Sequence, residues 1–365
     1  MAPARSALLL SGSIGLGHDV ASRACADVLR QQGWSTETLD AMRMLGRGSG
    51  AAGETVFRTM LAAPGLFDAV HFGALRTGNR LALAASSLAR RRLAPRLRDY
   101  LERHPVQLLI SAFATGAAAA SVVAAEHPAM VHVVLCTDAT PHRIWVQPNV
   151  DMYLVTSEVA ALAVLRFQPD ALVHVVPQPV RSAFYQPRGQ AQARSRFDIP
   201  VGDRCVLLMS GGWGLGPVAA AAEALAAAGL HVLAVAGHNE RLAQKLVALA
   251  AVQPRVRAFG FTDQVPDLMA AADLVITPAG AATCAEARVV GRTLLLLDVV
   301  QGHGRDNLQH ELELGDAMVT SSAAADVARC ALAALDRSKP AQPGPASSPL
   351  AWEAALTAAV TSIGL

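Results

Sequence analysis

The sequence predicts an α/β protein of two Rossmann-like halves, and three observations carry that expectation. Short apolar runs alternate with stretches of helical length along the chain, the pattern of repeated βα units. A glycine turn follows an apolar run near the start of each half, Gly12-Ser13-Ile14-Gly15-Leu16-Gly17-His18 and Ser210-Gly211-Gly212-Trp213-Gly214-Leu215-Gly216-Pro217. Between them, Pro177, Pro179, Pro187 and Pro200 bracket a polar run, Arg188–Arg196, as a linker would. At 365 residues each half is large enough to bury its own core. The expected divisions are a first domain over 1–183 with a helical insertion at about 42–103, a linker over 184–203, a second domain over 204–337, and a connector with a final helix over 338–365.

In the first half, Ala7–Ser11 reads as a strand and Asp19–Gln32 as a helix. The strands Ser35–Leu39, Val106–Ser111, Val131–Cys136, Met152–Thr156 and Val173–Val176 follow, with helices over 115–125 and 157–166. The glycines at 12, 15 and 17 do not have the spacing of a dinucleotide-binding fingerprint. His18 stands at the junction of loop and helix, facing the strand ends. Asp138 and His142, in Thr137-Asp138-Ala139-Thr140-Pro141-His142, also follow a strand. Residues 42–103 read as irregular helix broken by glycines.

In the second half, Cys205–Met209, His231–Ala236 and Val256–Phe259 are expected strands; Gly237-His238-Asn239 and Gly260-Phe261-Thr262 follow the last two. The segment from Asp273 to Asn307 then reads as strand, small-residue turn, helix, strand and polar loop. Its turn, Pro278-Ala279-Gly280-Ala281-Ala282-Thr283, lets a backbone approach a phosphate at a helix N-terminus, where amides and the dipole favour an anion. Glu286, one turn further, is within reach of a ribose. His303, Asp306 and Asn307 follow the next strand, at the end where open α/β sheets bind ligands.

Composition bounds the function. Apolar residues make up 52% and charged residues 16% of the chain, which excludes disorder. The apolar window 112–136 is broken by Glu126, His127, Pro128 and His132, so no run of transmembrane length is expected, and no signal-peptide pattern opens the chain. Five cysteines, at 25, 136, 205, 284 and 330, lie far apart without a CxxC pair. That points away from a zinc site or a disulfide framework and toward a reduced, cytoplasmic setting. Net charge is +2, with 17 Arg and Lys against 13 Asp and Glu in residues 1–185. Much of this excess lies between Arg76 and Arg103, where Asp99 and Glu102 interrupt eight arginines and leucines interleave. Such a helix suits an anionic membrane surface, with an ordinary solvated face as the equal alternative. No nucleic-acid motif accompanies the charge, and no nucleic-acid partner is expected.

Seven motifs in order carry a resemblance that covers most of the chain: SGSIGLGH (11–18), CTDATPH with Trp145 (136–145), MSGGWGLGP (209–217), AGHN (236–239), GFT (260–262), PAGAATCAEA (278–287) and QGHGRDN (301–307). They resemble glycosyltransferase family 28, of the GT-B fold, in which two Rossmann-like domains face each other across a cleft and a C-terminal helix packs back on the N-terminal domain. Within it they are similar to the monogalactosyldiacylglycerol synthase and processive diacylglycerol glucosyltransferase branch, and more distantly to MurG.

The resemblance implies inverting transfer of a hexose from a UDP-sugar to a hydroxyl of a diacylglycerol-like acceptor. The setting it implies is cytoplasmic, peripheral on the inner face of the cell membrane. It implies no cofactor beyond the donor and no metal. His18 would be the general base, with Asp138 and His142 beside the acceptor. Gly212, Gly214, Gly216 and Asn239 would line the donor site, backbone groups of Phe261 and Thr262 would read the uracil, and Gly280, Ala281, Ala282 and Thr283 would hold the diphosphate. Glu286 would take the ribose hydroxyls, and His303 and Asn307 the sugar. The chain departs from the family at Gly304, where a sugar-contacting Glu is usual and Asp306 is the nearby substitute, and at Ala281-Ala282, where Pro-Gly is common. Two other functions remain open: transfer to a soluble natural-product acceptor, and nucleotide-sugar binding without turnover.

Overall fold

The computed structural model describes residues 5–12, 17–46, 80–211, 216–299, 303–315, 317–337 and 348–365. The chain divides into two compact units, one of Met1–Val180 with Gln301–His303 and Leu350–Leu365, the other of Arg181–Val300 with Gly304–Pro349.

The first unit holds six parallel strands, β1 (Ser6–Ser11), β2 (Ser35–Asp40), β3 (Leu108–Ser111), β4 (Val131–Cys136), β5 (Met152–Val155) and β6 (Val173–Val175), in the order β2-β1-β3-β4-β5-β6. This is a doubly wound order in which the chain reverses direction across the sheet between β1 and β3. Its helices are α1 (Gly17–Gln31), α2 (Ala41–Met44), α3 (Arg80–Arg103), α4 (Ala114–Ala124) and α5 (Glu158–Leu165). A parallel sheet covered on both faces needs strands apolar on both sides, which explains the unbroken Leu8-Leu9-Leu10. Ala7 and Leu9 share a core with α1, whereas Leu8 and Leu10 share one with α3 and α4. The C-terminal helix, Pro349–Ser362, lies in the α1 layer through Trp352, Leu356 and Val360, and the Trp352 indole donates to the Ala24 carbonyl at 3.3 Å.

The second unit repeats the plan with β7 (Cys205–Met209), β8 (His231–Val235), β9 (Val256–Phe259), β10 (Leu274–Pro278), β11 (Thr293–Leu297) and β12 (Ala317–Thr320). All are parallel, in the order β12-β11-β10-β7-β8-β9. Counted within the unit this is the Rossmann order, with its switch point between β7 and β10. Its helices are α6 (Gln190–Ser195), α7 (Val218–Ala227), α8 (Glu240–Val252), α9 (Val265–Ala271), α10 (Ala281–Val289), α11 (His303–Glu313) and α12 (Ala324–Arg337).

Three expectations change. The stretch 184–203 is not an open linker. It contains α6 and belongs to the second unit, whose boundary falls at Arg181. The buried Arg194 fastens it, donating to both Asp273 oxygens at 2.8 and 2.7 Å and to the Ala271 carbonyl at 3.0 Å. Residues 303–307 are not loop but the first turn and more of α11; Asp306 in the first turn and His310 in the last complement the helix dipole.

The third change concerns the arginine-rich stretch. From Arg80 to Arg103 it is one helix, and Leu93, Leu97 and Leu101 are buried in the unit's own core. That part of its apolar face is therefore occupied, while Arg91, Arg92, Arg96 and Arg103 are exposed and Arg98 pairs with Glu126 at 2.6 Å. Arg76 and the rest of 47–79 lie outside the described residues. No described helix is long and apolar enough to cross a membrane. Cys25, Cys136, Cys205 and Cys284 are buried, and Cys330 is half-buried.

Candidate active site

In the first unit the segments that leave β1 and β4 carry His18, Asp138 and His142. β1 leaves the sheet at Gly12. A Cβ there would stand 2.4 Å from the Phe113 ring, so only glycine lets that ring lie over the strand exit. His18, second residue of α1, sits edge-on to Phe113 at 5.0 Å and tilted to Trp145 at 6.0 Å between ring centroids. The residue keeps some exposure, yet its Nδ1 is enclosed without a hydrogen-bond partner. Burial lowers the imidazole pKa, against the opposing pull of Asp138, the Ala112 carbonyl and Asp19. The ring is therefore neutral at pH 7, the state a base needs.

Asp138 lies in the loop after β4 and accepts from the Trp145 indole N–H at 2.7 Å. His142 Nδ1 accepts from the Ile144 amide at 3.3 Å, and its ring is 6.5 Å from that of Trp145. Three residues chosen from sequence thus gather around a tryptophan that sequence offered only as part of a motif.

In the second unit the sheet's switch point carries the start of α10. Gly280 is its N-cap, exposed and without a side chain to bond the first-turn amides. A Cβ at Gly280 would meet nothing closer than the Pro278 carbonyl oxygen at 4.0 Å. Ala281 and Ala282 are helical, with neither among the positive-φ residues, so their methyl groups introduce no backbone strain. The Ala281, Ala282 and Thr283 amides form a helix N-terminus of the kind that binds anions.

Glu286 is buried, 3% exposed, and its Oε1 accepts from Arg181 Nε at 2.7 Å. Burial raises its carboxyl pKa and Arg181 opposes the rise. One carboxylate oxygen is thus already taken by a residue that sequence reasoning missed. Arg181, whose guanidinium also lies 4.7 Å over the Phe184 ring, is hidden in sequence because its partner is 105 residues away; the only signal is an arginine immediately after a proline-bounded strand exit.

The remaining donor-site residues differ in what they offer. Asn239 is the N-cap of α8, its Oδ1 accepting from the Leu242 amide at 3.0 Å, so that oxygen serves the helix. Thr262 Oγ1 accepts from the Gln264 amide at 3.1 Å. The Phe261 side chain, 54% exposed, stacks on His238 at 4.0 Å and 15°; the sequence had marked only the backbone here. Gly216 has φ +85° and lies against Val299, while Gly212 and Gly214 lie outside the described residues. On α11, Asn307 is buried and Asp306 half-buried; His303 opens the helix, and its side chain is not described. An Arg288–Glu311 ion pair ties α10 to α11. Among the described residues no group of three His, Cys, Asp or Glu is placed to hold a metal ion.

Comparison with known proteins bears on both units. Residues 217–324 match the glycosyltransferase family 28 C-terminal domain, and residues 77–178 match monogalactosyldiacylglycerol (MGDG) synthase. Monogalactosyldiacylglycerol synthase 3, chloroplastic, of Arabidopsis thaliana is 31% identical over 210 residues, taking in 54% of this chain and 44% of that protein. The corresponding Spinacia oleracea synthase is 30% identical over 223 residues, 53% of this chain and 42% of that one. The chain spans less than half the length of these relatives. Among solved structures, Acinetobacter baumannii MurG superposes with a TM-score of 0.57 at 15% identity, covering 99% of both chains. Phytolacca americana UGT2, complexed with UDP-2fluoro-glucose and pterostilbene, superposes with a TM-score of 0.64 at 14% identity, again covering 99% of both. Two six-stranded parallel sheets give this chain the GT-B fold, with a match to the glycosyltransferase family 28 C-terminal domain in one unit and a match to MGDG synthase in the other.

Proposed function

We propose that the protein transfers a hexose, with inversion, from a UDP-sugar to a hydroxyl of a diacylglycerol-like lipid at the cytoplasmic face of a membrane. The observation that carries the donor half is the uncapped start of α10, three amides behind a bare Gly280 with the buried Glu286 one turn on. The acceptor half rests on relatives named for making monogalactosyldiacylglycerol, and the exposed arginines of α3 supply the charge an anionic surface attracts.

The chemistry follows from those groups. The acceptor hydroxyl attacks the anomeric carbon as its proton passes to the neutral His18 imidazole. The bond from that carbon to the UDP oxygen breaks, and the electron pair leaves with UDP. The charge growing on the diphosphate is met by fixed α10 amides. A single in-line displacement inverts the anomeric centre. Half-buried Asp306 stands in for the missing glutamate on the sugar.

Release of UDP from UDP-glucose and UDP-galactose, with and without diacylglycerol vesicles, tests this directly. Turnover that rises with vesicles supports it; turnover only with soluble aglycones replaces the lipid acceptor by a soluble one. UDP binding without turnover of any donor refutes the enzyme. His18→Ala should abolish transfer and leave UDP affinity within twofold, and a loss of UDP affinity would show that His18 has another role.

A further inference from the structure

We propose that Trp145 is the positioning residue of the proton-accepting site, its indole N–H holding the Asp138 carboxylate where it acts on His18. This rests on reading His18 as the base. Three observations lead to it. Trp145 is 1% exposed, so its one polar atom needs a partner, and that partner is Asp138 Oδ2 at 2.7 Å. Its ring also stands 6.0 Å from that of His18 and 6.5 Å from that of His142, so one side chain spans all three groups. The third observation concerns the backbone. Asp138 lies between β4 and β5, where 137–151 is turn and loop, so its backbone is held by no strand ladder.

What holds that loop is its own bonding. The Trp145 amide donates to the His142 carbonyl at 2.9 Å, closing a turn. The Tyr153 hydroxyl both accepts from the Gln147 amide and donates to the Gln147 carbonyl, each at 2.9 Å. The indole therefore projects from an anchored turn, and it transmits that rigidity to Asp138.

The charged and titratable groups facing His18 come from three directions. Asp19 is on its own helix, held by Ser11 at the end of β1. Asp138 lies in the loop after β4; His142, on the same loop, faces Trp145, and the buried Cys136 thiol ends β4 beside Asp138. β3 and its exit offer only the Phe113 ring and the Ala112 carbonyl. Asp138 is first among the influences that keep proton affinity on an imidazole whose burial removes it. Without the indole the carboxylate loses that hydrogen bond, and its influence on His18 weakens.

The test is Trp145→Phe, which keeps an aromatic ring and removes the N–H, beside Asp138→Asn, which keeps the acceptor atom and removes the charge. His18 is titrated by NMR in each, and kcat and donor KM are measured against pH. Trp145→Phe should move the His18 titration to lower pH, toward Asp138→Asn. It should cut kcat about tenfold to a hundredfold with donor KM within twofold. The double variant should lose no more than Asp138→Asn alone, since both act through one link. A His18 titration in Trp145→Phe that overlays the wild type, or moves up, overturns the proposal, as does a double variant whose losses simply multiply. If the wild type shows no transfer, the reading of His18 as a base fails, and the NMR arm still decides for or against Trp145. If Trp145→Phe does not fold, Asp138→Asn carries the decision: an unmoved His18 titration there refutes the link.

Discussion

Lowering the pH should destabilise the first unit through one histidine deep in its sheet. His132 is fully buried in β4, its Nε2 3.0 Å from Ser111 Oγ and its Nδ1 3.2 Å from the Asn149 carbonyl oxygen. Burial drives its pKa from 6.5 to about 4, with the Asn149 carbonyl and Asp151 opposing. The folded pKa lies below the unfolded one, so the native state holds a neutral ring. Above pH 6.5 neither state binds the proton and there is no penalty. As pH falls below 6.5 the unfolded chain takes up a proton that the folded chain refuses, and stability is lost until about pH 4. At about 1.36 kcal/mol per unit, the loss is about 2 kcal/mol by pH 5 and about 3 kcal/mol by pH 4. Other groups titrate in the same window, so the measurement is a difference between the wild type and His132→Gln. Urea unfolding followed by tryptophan fluorescence suits it, because Trp34, Trp145 and Trp352 belong to the first unit. The gap between the two should change by about 2 kcal/mol from pH 7 to pH 5. Parallel pH profiles would refute the reasoning.

Three further outcomes are expected. Arg181→Met leaves the buried Glu286 carboxylate without its partner. UDP affinity should fall about tenfold by calorimetry, more steeply at acid pH as Glu286 protonates, while stability drops only about 1 kcal/mol because Arg181 is one-third exposed. Ala282→Glu puts a carboxylate on the first turn of α10. Urea unfolding should show stability unchanged or raised by about 0.5 kcal/mol, and calorimetry should show UDP affinity at least tenfold weaker; unchanged affinity would place the diphosphate elsewhere. Removing 350–365 exposes the core that Trp352, Leu356 and Val360 cover, a loss of about 5 kcal/mol; a first-unit unfolding transition as stable as before would contradict that packing.

Much of this was legible in the chain because parallel strands and helix starts leave local signatures. Leu274–Pro278 is apolar on both faces and runs into Ala279-Gly280 and then α10, so strand, turn and helix could be read from neighbouring residues. His18 was legible for the same reason, standing where β1 gives way to α1. What escaped depends on pairing across the fold. Arg194 looks like one more polar residue in a proline-marked stretch until Asp273, 79 positions away, meets it. Arg181 was obscured likewise. The start of α11 was read as loop because Gly302 and Gly304 outweigh the weak dipole signal of Asp306. Asn239 carries a role the motif did not show: its side-chain oxygen caps α8.

The four buried cysteines have a consequence of their own. Two lie in each unit, Cys25 and Cys136 in the first, Cys205 and Cys284 in the second. Burial pushes every one of these thiols upward, Cys205 to about 12, so little reactive thiolate forms while the native packing persists. An alkylating reagent therefore waits on an opening of the chain, and the modified position records which unit opened. Wild-type protein, pulsed with such a reagent and read by mass spectrometry, reports the two units' opening rates side by side.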